Sequence, residues 1–171
     1  EMMPRFHALV VGPGLGRKPN VLEGAARIIA AAQASGVPVL IDADGLQLIV
    51  ERPGLLSDAS PVVLTPNAAE YRRLWAAAEA GNSASPEEDL QTLSRALGGA
   101  TICLKGAEDL VAGDGMLLRC AEEGTPRRSG GLGDVLAGTM ATMLAWLRIS
   151  DQVGGQGSWR AAHAAVAACV L

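Results

Sequence analysis

The residues best suited to chemistry gather in Gly130-Gly131-Leu132-Gly133-Asp134. Glycines let the backbone turn its amides inward, and a helix N-terminus adds partial positive charge, so a phosphate chain would fit there. A carboxylate beside that phosphate would repel it. Asp134 makes sense in such a loop if it takes a proton from a hydroxyl attacking phosphorus. It makes equal sense as a plain helix cap, a position aspartate favours, and spacing alone leaves both readings open. Upstream, Arg127-Arg128 either grip phosphate oxygens through paired guanidinium groups or are solvated surface. Lys105-Gly106 follows an apolar run, where the lysine would neutralise phosphate or stand in solvent. Asn67 and Glu70 are spaced i, i+3 and share one helix face. They could hold hydrated Mg²⁺ or polar substrate groups, or form a helix-start pattern with no ligand.

Other candidates are weaker. Gly12-Pro13-Gly14-Leu15-Gly16 departs from the G-x-G-x-x-G dinucleotide fingerprint. No acidic residue stands in clear register with a ribose, Asp42 being only a loose candidate. His7 and His163 read as structural, and no nucleophile triad can be built from them. Cys103, Cys120 and Cys169 are isolated, without metal-ligand spacing, and read as small apolar packing residues.

These residues need elements to hold them. Apolar runs at 7–11, 37–41, 62–64 and 101–104 read as strands buried on both faces, because none alternates with polar residues. Between them lie helical stretches. One runs from an Asn20 cap to about Ser35, with Gly36 as its stop. A second starts at Pro66 with Thr65 as cap. A third opens at Pro86 and ends near Gly98-Gly99. Runs 110–112 and 116–120 suit a hairpin around Gly113-Asp114-Gly115. A long helix follows from Asp134 to about Leu147, and Ser158 would cap a last one. Alternating strands and helices argue for an α/β fold with a parallel sheet and helices on both faces. Ligands of such sheets bind beyond the carboxyl ends of the strands. The segments Gly12 to Gly16, Asp42 to Asp44, Thr65 to Glu70 and Lys105 to Asp109 all fall there.

Composition narrows the class. The 171 residues suit one domain, and 49% hydrophobic content is that of a globular chain. Net charge is −4, with no basic run interleaved with aromatics, so there is no nucleic-acid footprint. A nucleotide remains compatible, because backbone amides can bind phosphate with few positive side chains. No uninterrupted apolar run reaches the roughly 18 residues that cross a bilayer, so no membrane partner is expected. Unpaired cysteines suit a reducing compartment, and the expected location is cytoplasmic, or mitochondrial in a longer form.

Taken together, VVGPGLGR (Val10 to Arg17), VLIDADGL (Val39 to Leu46), LTPNAAEYRRL (Leu64 to Leu74), KGAED (Lys105 to Asp109) and GTPRRSGGLGDVLAG (Gly124 to Gly138) resemble one family. They occur in the order seen in NAD(P)H-hydrate dehydratases, and the resemblance runs from His7 to about Trp146. N-x-x-E followed by G-x-G-D is shared more widely by ribokinase-like kinases, vitamin kinases included. GPGLGR with IDADGL points to the dehydratases. The arginine pair before GG-x-GD resembles the eukaryotic, ATP-using branch; the bacterial branch uses ADP. Ser129 stands where a cysteine is common, and Leu132 where glutamine is common. Neither change removes a charge.

The resemblance implies a three-layer αβα, ribokinase-like fold with a mostly parallel sheet. It implies ATP-dependent dehydration of the (6S) hydrate of NADH or NADPH, with Asp134 as the base for the hydrate hydroxyl. Gly14, Asn67, Ala68, Ala69, Glu70, Tyr71, Arg72, Arg73 and Asp134 would line the hydrate site. ATP would be held by Lys105, Gly106, Ala107, Glu108 and Asp109, and by Gly124, Thr125, Pro126, Arg127, Arg128, Ser129, Gly130, Gly131, Leu132 and Gly133. Mg²⁺ would bridge the phosphates, with Asn67 and Glu70 near it through water. Homo-oligomers are expected, as in relatives. Both ends of the sequence read as cuts through a larger domain, so weak turnover is expected of these residues alone.

Overall fold

The computed structural model describes residues 2–56, 61–81, 86–122, 129–152 and 160–170. Strands β1 (Leu9–Val11), β2 (Val39–Ile41), β3 (Val62–Leu64) and β4 (Thr101–Leu104) pair in parallel, each beside the next. Strands β5 (Asp109–Gly113) and β6 (Met116–Cys120) then add an antiparallel hairpin. The six strands lie in chain order across one sheet. The hairpin turns through Asp114 and Gly115, with φ of 54° and 75°, the paired left-handed geometry that matches strand twist.

Both faces of this sheet are covered, as the unbroken apolar strands predict. Val39, Ile41, Val62, Leu64, Ile102 and Ala112 point to one core, and Leu40, Val63, Cys103 and Val111 to the other. The first core is filled by helices α1 (Pro19–Ala34), α2 (Asp44–Glu51), α3 (Ala68–Ala77) and α4 (Pro86–Ala96). The second is filled by α5 (Leu132–Gln152) and α6 (Ala161–Cys169), through Ala137, Met140, Leu144 and a row of alanines. The result is the αβα sandwich expected from the alternation of elements.

Several helix starts differ from expectation, each for a local reason. Lys18 caps α1, and Pro19 takes its first position, where a missing N–H costs nothing; Asn20 is already inside. Asn67, not Thr65, caps α3, and Pro66 lies before the helix. Arg160 precedes α6, its backbone N–H donating to His163 Nδ1 at 3.3 Å; Ser158 lies outside the described residues. Helix α2 was not anticipated, although Leu46 and Ile49 give it a buried face. Helix α5 starts at Leu132 and runs to Gln152, longer than its sequence period suggested. Its segment Leu132–Asp151 is long and apolar enough to cross a membrane by length and composition alone, although Asp134, Arg148 and Asp151 keep it from being one uninterrupted apolar run. Ala137, Met140 and Leu144 are nevertheless buried against the sheet side, as in a core helix.

The loop after β1 is pressed against the turn after β2. A Cβ on Gly12, whose φ is +130°, would lie 1.7 Å from the Asp42 carbonyl oxygen. Gly24, inside α1, faces open space. Gly12→Ala is therefore expected to cost about 3 kcal/mol or more. Gly24→Ala should stabilise by about 0.5–1 kcal/mol. Urea unfolding of both variants checks the contrast.

Candidate active site

Parallel pairing brings the carboxyl ends of β1 to β4 to one edge of the sheet. Each is followed by a segment that the sequence marked. Backbone bonds tie these segments in sequence: Asp42 N–H to Val11 O at 3.1 Å, Thr65 N–H to Ile41 O at 3.2 Å, and Lys105 N–H to Pro66 O at 2.9 Å. Asn67 and Lys105 also form an isolated parallel bridge.

Across this edge, Lys105 Nζ donates to Asp42 Oδ1 at 2.9 Å. The Asp42 side chain is only 5% exposed and that of Lys105 24%. A carboxylate so deeply placed needs a charge partner. The start of α5 rests on this pair: a Cβ on Gly133 would lie 3.8 Å from Asp42 Oδ2 and 3.9 Å from Lys105 Nζ. The glycine segment is thus carried over the strand ends, and an ammonium group lies at its side.

Asp134 stands in the first turn of α5, as its third residue, and its side chain is exposed. The cap position falls to Gly131 instead, so the simple capping alternative does not hold. Among the described residues Asp134 has no side-chain hydrogen bond, which leaves its carboxylate available. Ser129, Gly130, Gly131 and Leu132 are exposed beside it, and Gly133 is half-buried. Gly124, Thr125, Pro126, Arg127 and Arg128 lie outside the described residues.

Asn67 and Glu70 form a reciprocal capping box. Asn67 Oδ1 accepts from the N–H groups of Ala69 and Glu70 at 2.9 and 3.0 Å, and Glu70 Oε2 accepts from Asn67 N–H at 2.8 Å. Both residues thus form the helix start, and one Glu70 oxygen, Oε1, has no part in the capping box. Glu70 and Arg73 line a shallow depression with Arg17, Ala43 and Gln47. Ala68, Ala69 and Arg72 are exposed. Tyr71 is partly buried against the core, its ring 6.0 Å from that of Trp75. Burial first, and then the Asp89 carboxylate, push its hydroxyl up to about 12. Thr65 Oγ1 is buried with no partner among the described residues.

In the loop after β4, Asp109 Oδ1 accepts from Gly106 N–H at 2.9 Å and closes the turn. Glu108 pairs with Arg119 on β6, so its charge is directed along the hairpin. Gly106, Ala107 and Glu108 are exposed. Gly14 is exposed, with open space around its Cα.

Sequence reasoning placed Asp42 to Asp44 at this edge but did not give their contacts. Asp44 accepts from Gly16 N–H at 3.0 Å and from Arg17 Nε at 2.8 Å, locking the glycine loop to the start of α2. Asp42 was a loose ribose candidate, and its pairing with Lys105 was not foreseen. The available signal was positional: D-A-D ends one strand and K-G another. A larger groove, lined by Met143, Trp146, Leu147 and Ala164, lies between α5 and α6. It is apolar and carries none of the residues above.

A family profile described as NAD(P)H-hydrate dehydratase matches residues 1–171. The chain belongs to the NAD(P)H-hydrate dehydratase family. Among its relatives, the ATP-dependent (S)-NAD(P)H-hydrate dehydratase of Rattus norvegicus is 42% identical over 173 residues, covering 100% of this chain and 50% of the rat protein. The Homo sapiens enzyme of the same name is 39% identical, with the same coverage. The chain thus spans about half the length of the curated relatives it matches. Solved structures show the fold. Hydroxyethylthiazole kinase from Pyrococcus horikoshii superposes with a TM-score of 0.67 at 19% identity, over 99% of this chain and 62% of that one. A ribokinase-like superfamily protein from Enterococcus faecalis gives 0.64 at 22%, over 97% and 62%. The dehydratase family and the ribokinase-like fold implied by the sequence are therefore both found.

Two predictions follow from the geometry of this family member. Lys105→Met strands the buried Asp42 carboxylate and should cost about 3 kcal/mol, mostly recovered by adding Asp42→Asn. A double-mutant cycle in urea measures this. For Asp44, the hydrogen bond from Arg17, then that from Gly16, hold the carboxyl below its ordinary 3.8. A folded-state value below the unfolded one means full stabilisation above pH 3.8, lost as pH falls through the lowered value. Asp44→Asn should flatten this acid limb of the stability profile relative to the parent chain.

Proposed function

We propose that this chain performs the ATP-dependent dehydration of the (6S) hydrate of NADH or NADPH, returning NAD(P)H with ADP and phosphate. The observation that carries the reading is the seating of Gly133 on the Asp42–Lys105 pair, with the exposed Asp134 carboxylate one residue on. That arrangement supports reading the glycine segment as an anion-binding helix start, with a lysine beside it and Asp134 as the base.

Asp134 accepts the proton of the hydrate hydroxyl as its oxygen attacks the γ-phosphorus of ATP. The γ-phosphoryl group moves to that oxygen and ADP leaves. Loss of the phosphate ester with a ring proton then restores the double bond. Backbone amides of Gly130 to Gly133 and the Lys105 ammonium offset charge on the phosphates. Arg127 and Arg128, by resemblance, add to this. Gly14, Asn67 to Glu70, Arg72 and Arg73 form the hydrate side of the cleft.

Mg²⁺, when bound to ATP, draws negative charge off the phosphates. Asn67 Oδ1 accepts two N–H bonds and Glu70 Oε2 one within the capping box, which favours contact with the ion through water over direct ligation. Glu70 Oε1, free of the capping box, would meet the hydrated ion through water.

Asp134→Asn is the decisive variant. Recovery of reduced-nicotinamide absorbance from purified hydrate, on adding ATP, should fall by roughly 10²–10⁴-fold. Unchanged turnover would remove Asp134 as the base. A stable phosphorylated alcohol without recovery of NAD(P)H would make the chain a small-molecule kinase instead.

A further inference from the structure

The three cysteines are far apart in sequence, but the fold gathers two of them. Cys103 on β4 and Cys169 on α6 bring their sulfurs to 3.7 Å. The Asp109 carboxylate, at the start of β5, joins them, and all three ligand atoms lie within 4.8 Å of one another. Cys103 is fully buried, while Cys169 and Asp109 are half-buried. Cys120 is directly opposite Asp109 in the β5–β6 register.

From this geometry we propose that Cys103, Cys169 and Asp109 form a binding site for a soft divalent cation of the zinc class. Three features of the cluster support it. A tetrahedral ion with bonds of ~2.3 Å to sulfur holds two thiolates about 3.8 Å apart, close to the separation present. The carboxylate supplies a third donor of a type zinc accepts. The Asp109 carboxylate is already oriented by the Gly106 N–H, which donates to its Oδ1 and fixes the group before the ion arrives. A disulfide would instead require the sulfurs to close to about 2.05 Å and would give the carboxylate no part. Oxygen-seeking Mg²⁺ does not match a two-thiol donor set. Uptake releases the two thiol protons to solvent and forms two metal–sulfur bonds and one metal–oxygen bond, with no change of oxidation state.

The site does not depend on the nucleotide reading, but it adjoins it. Asp109 closes the loop that starts at Lys105, and Cys169 belongs to α6. An ion there would clamp α6 to the foot of that loop.

The test is titration of the reduced chain with Co²⁺ and Cd²⁺, followed by their thiolate charge-transfer bands, with Zn²⁺ affinity by competition. The expected result is one ion per chain, with the bands lost in Cys103→Ser and in Cys169→Ser. Cys120→Ser should keep them, and a large excess of Mg²⁺ should not displace the ion. Zn²⁺ should also raise the Tm of the parent chain and not of Cys169→Ser, which separates binding from misfolding of a variant. Bands that survive in both Cys103→Ser and Cys169→Ser, or a chain that only loses two protons by mass on oxidation and takes up no ion, overturn the proposal.

Discussion

A carboxylate with 5% of its side chain exposed sits at the end of β2, and it is tolerated there because Lys105 Nζ lies 2.9 Å away. The two residues come from strands that are not neighbours; β3 runs between them. Their contact therefore requires the parallel register from β2 to β4 to be right, and a slip of one residue would turn either side chain to the wrong face. Gly133 then rests on both partners, so the same pair sets the height of α5 above the sheet edge. Burial, register and the position of Asp134 are linked through one ion pair.

The glycine loop after β1 is held by a second set of constraints. Gly12 meets the Asp42 carbonyl, Gly45 meets the Val11 carbonyl, and Asp44 receives Gly16 and Arg17. Neither glycine has room for a side chain. Ala43, between the two aspartates, adopts a φ of 49°, unusual for a residue with a Cβ. Strain of this kind persists only where its surroundings fix it, and it is found most often beside functional sites. Here it places Asp42 inward and Asp44 outward across a single residue.

The sheet and most helices were legible in the chain because unbroken apolar runs have one stable use, a strand covered on both faces. The hairpin was legible from Gly113-Asp114-Gly115, whose chemistry dictates the turn. Helix starts were harder. Thr65 and Asn67 are both good caps, and only the Glu70 carboxylate, reaching back to Asn67 N–H, selects the second. Helix α2 is short and follows a strand directly, so its apolar residues read as an extension of loop. The candidate site was visible as separate fragments at strand ends, and family resemblance joined them. What sequence could not supply were contacts across long separations, such as Asp42 with Lys105 and Cys103 with Cys169. No local spacing encodes them.

The sheet is ordered as the chain is written, from β1 to β6, with no reversal. Successive crossovers of one hand, always stepping the same way, must lay their helices on the same side. Helices α1 to α4 do so. Among the described residues, the opposite side is roofed only by α5 and α6, both of which come after every strand. In vectorial synthesis, the first side can gain its cover strand by strand, through contacts close in sequence. Among the described residues, Leu40 and Val63 are covered by residues beyond 131, so closure of that layer joins parts of the chain far apart in sequence.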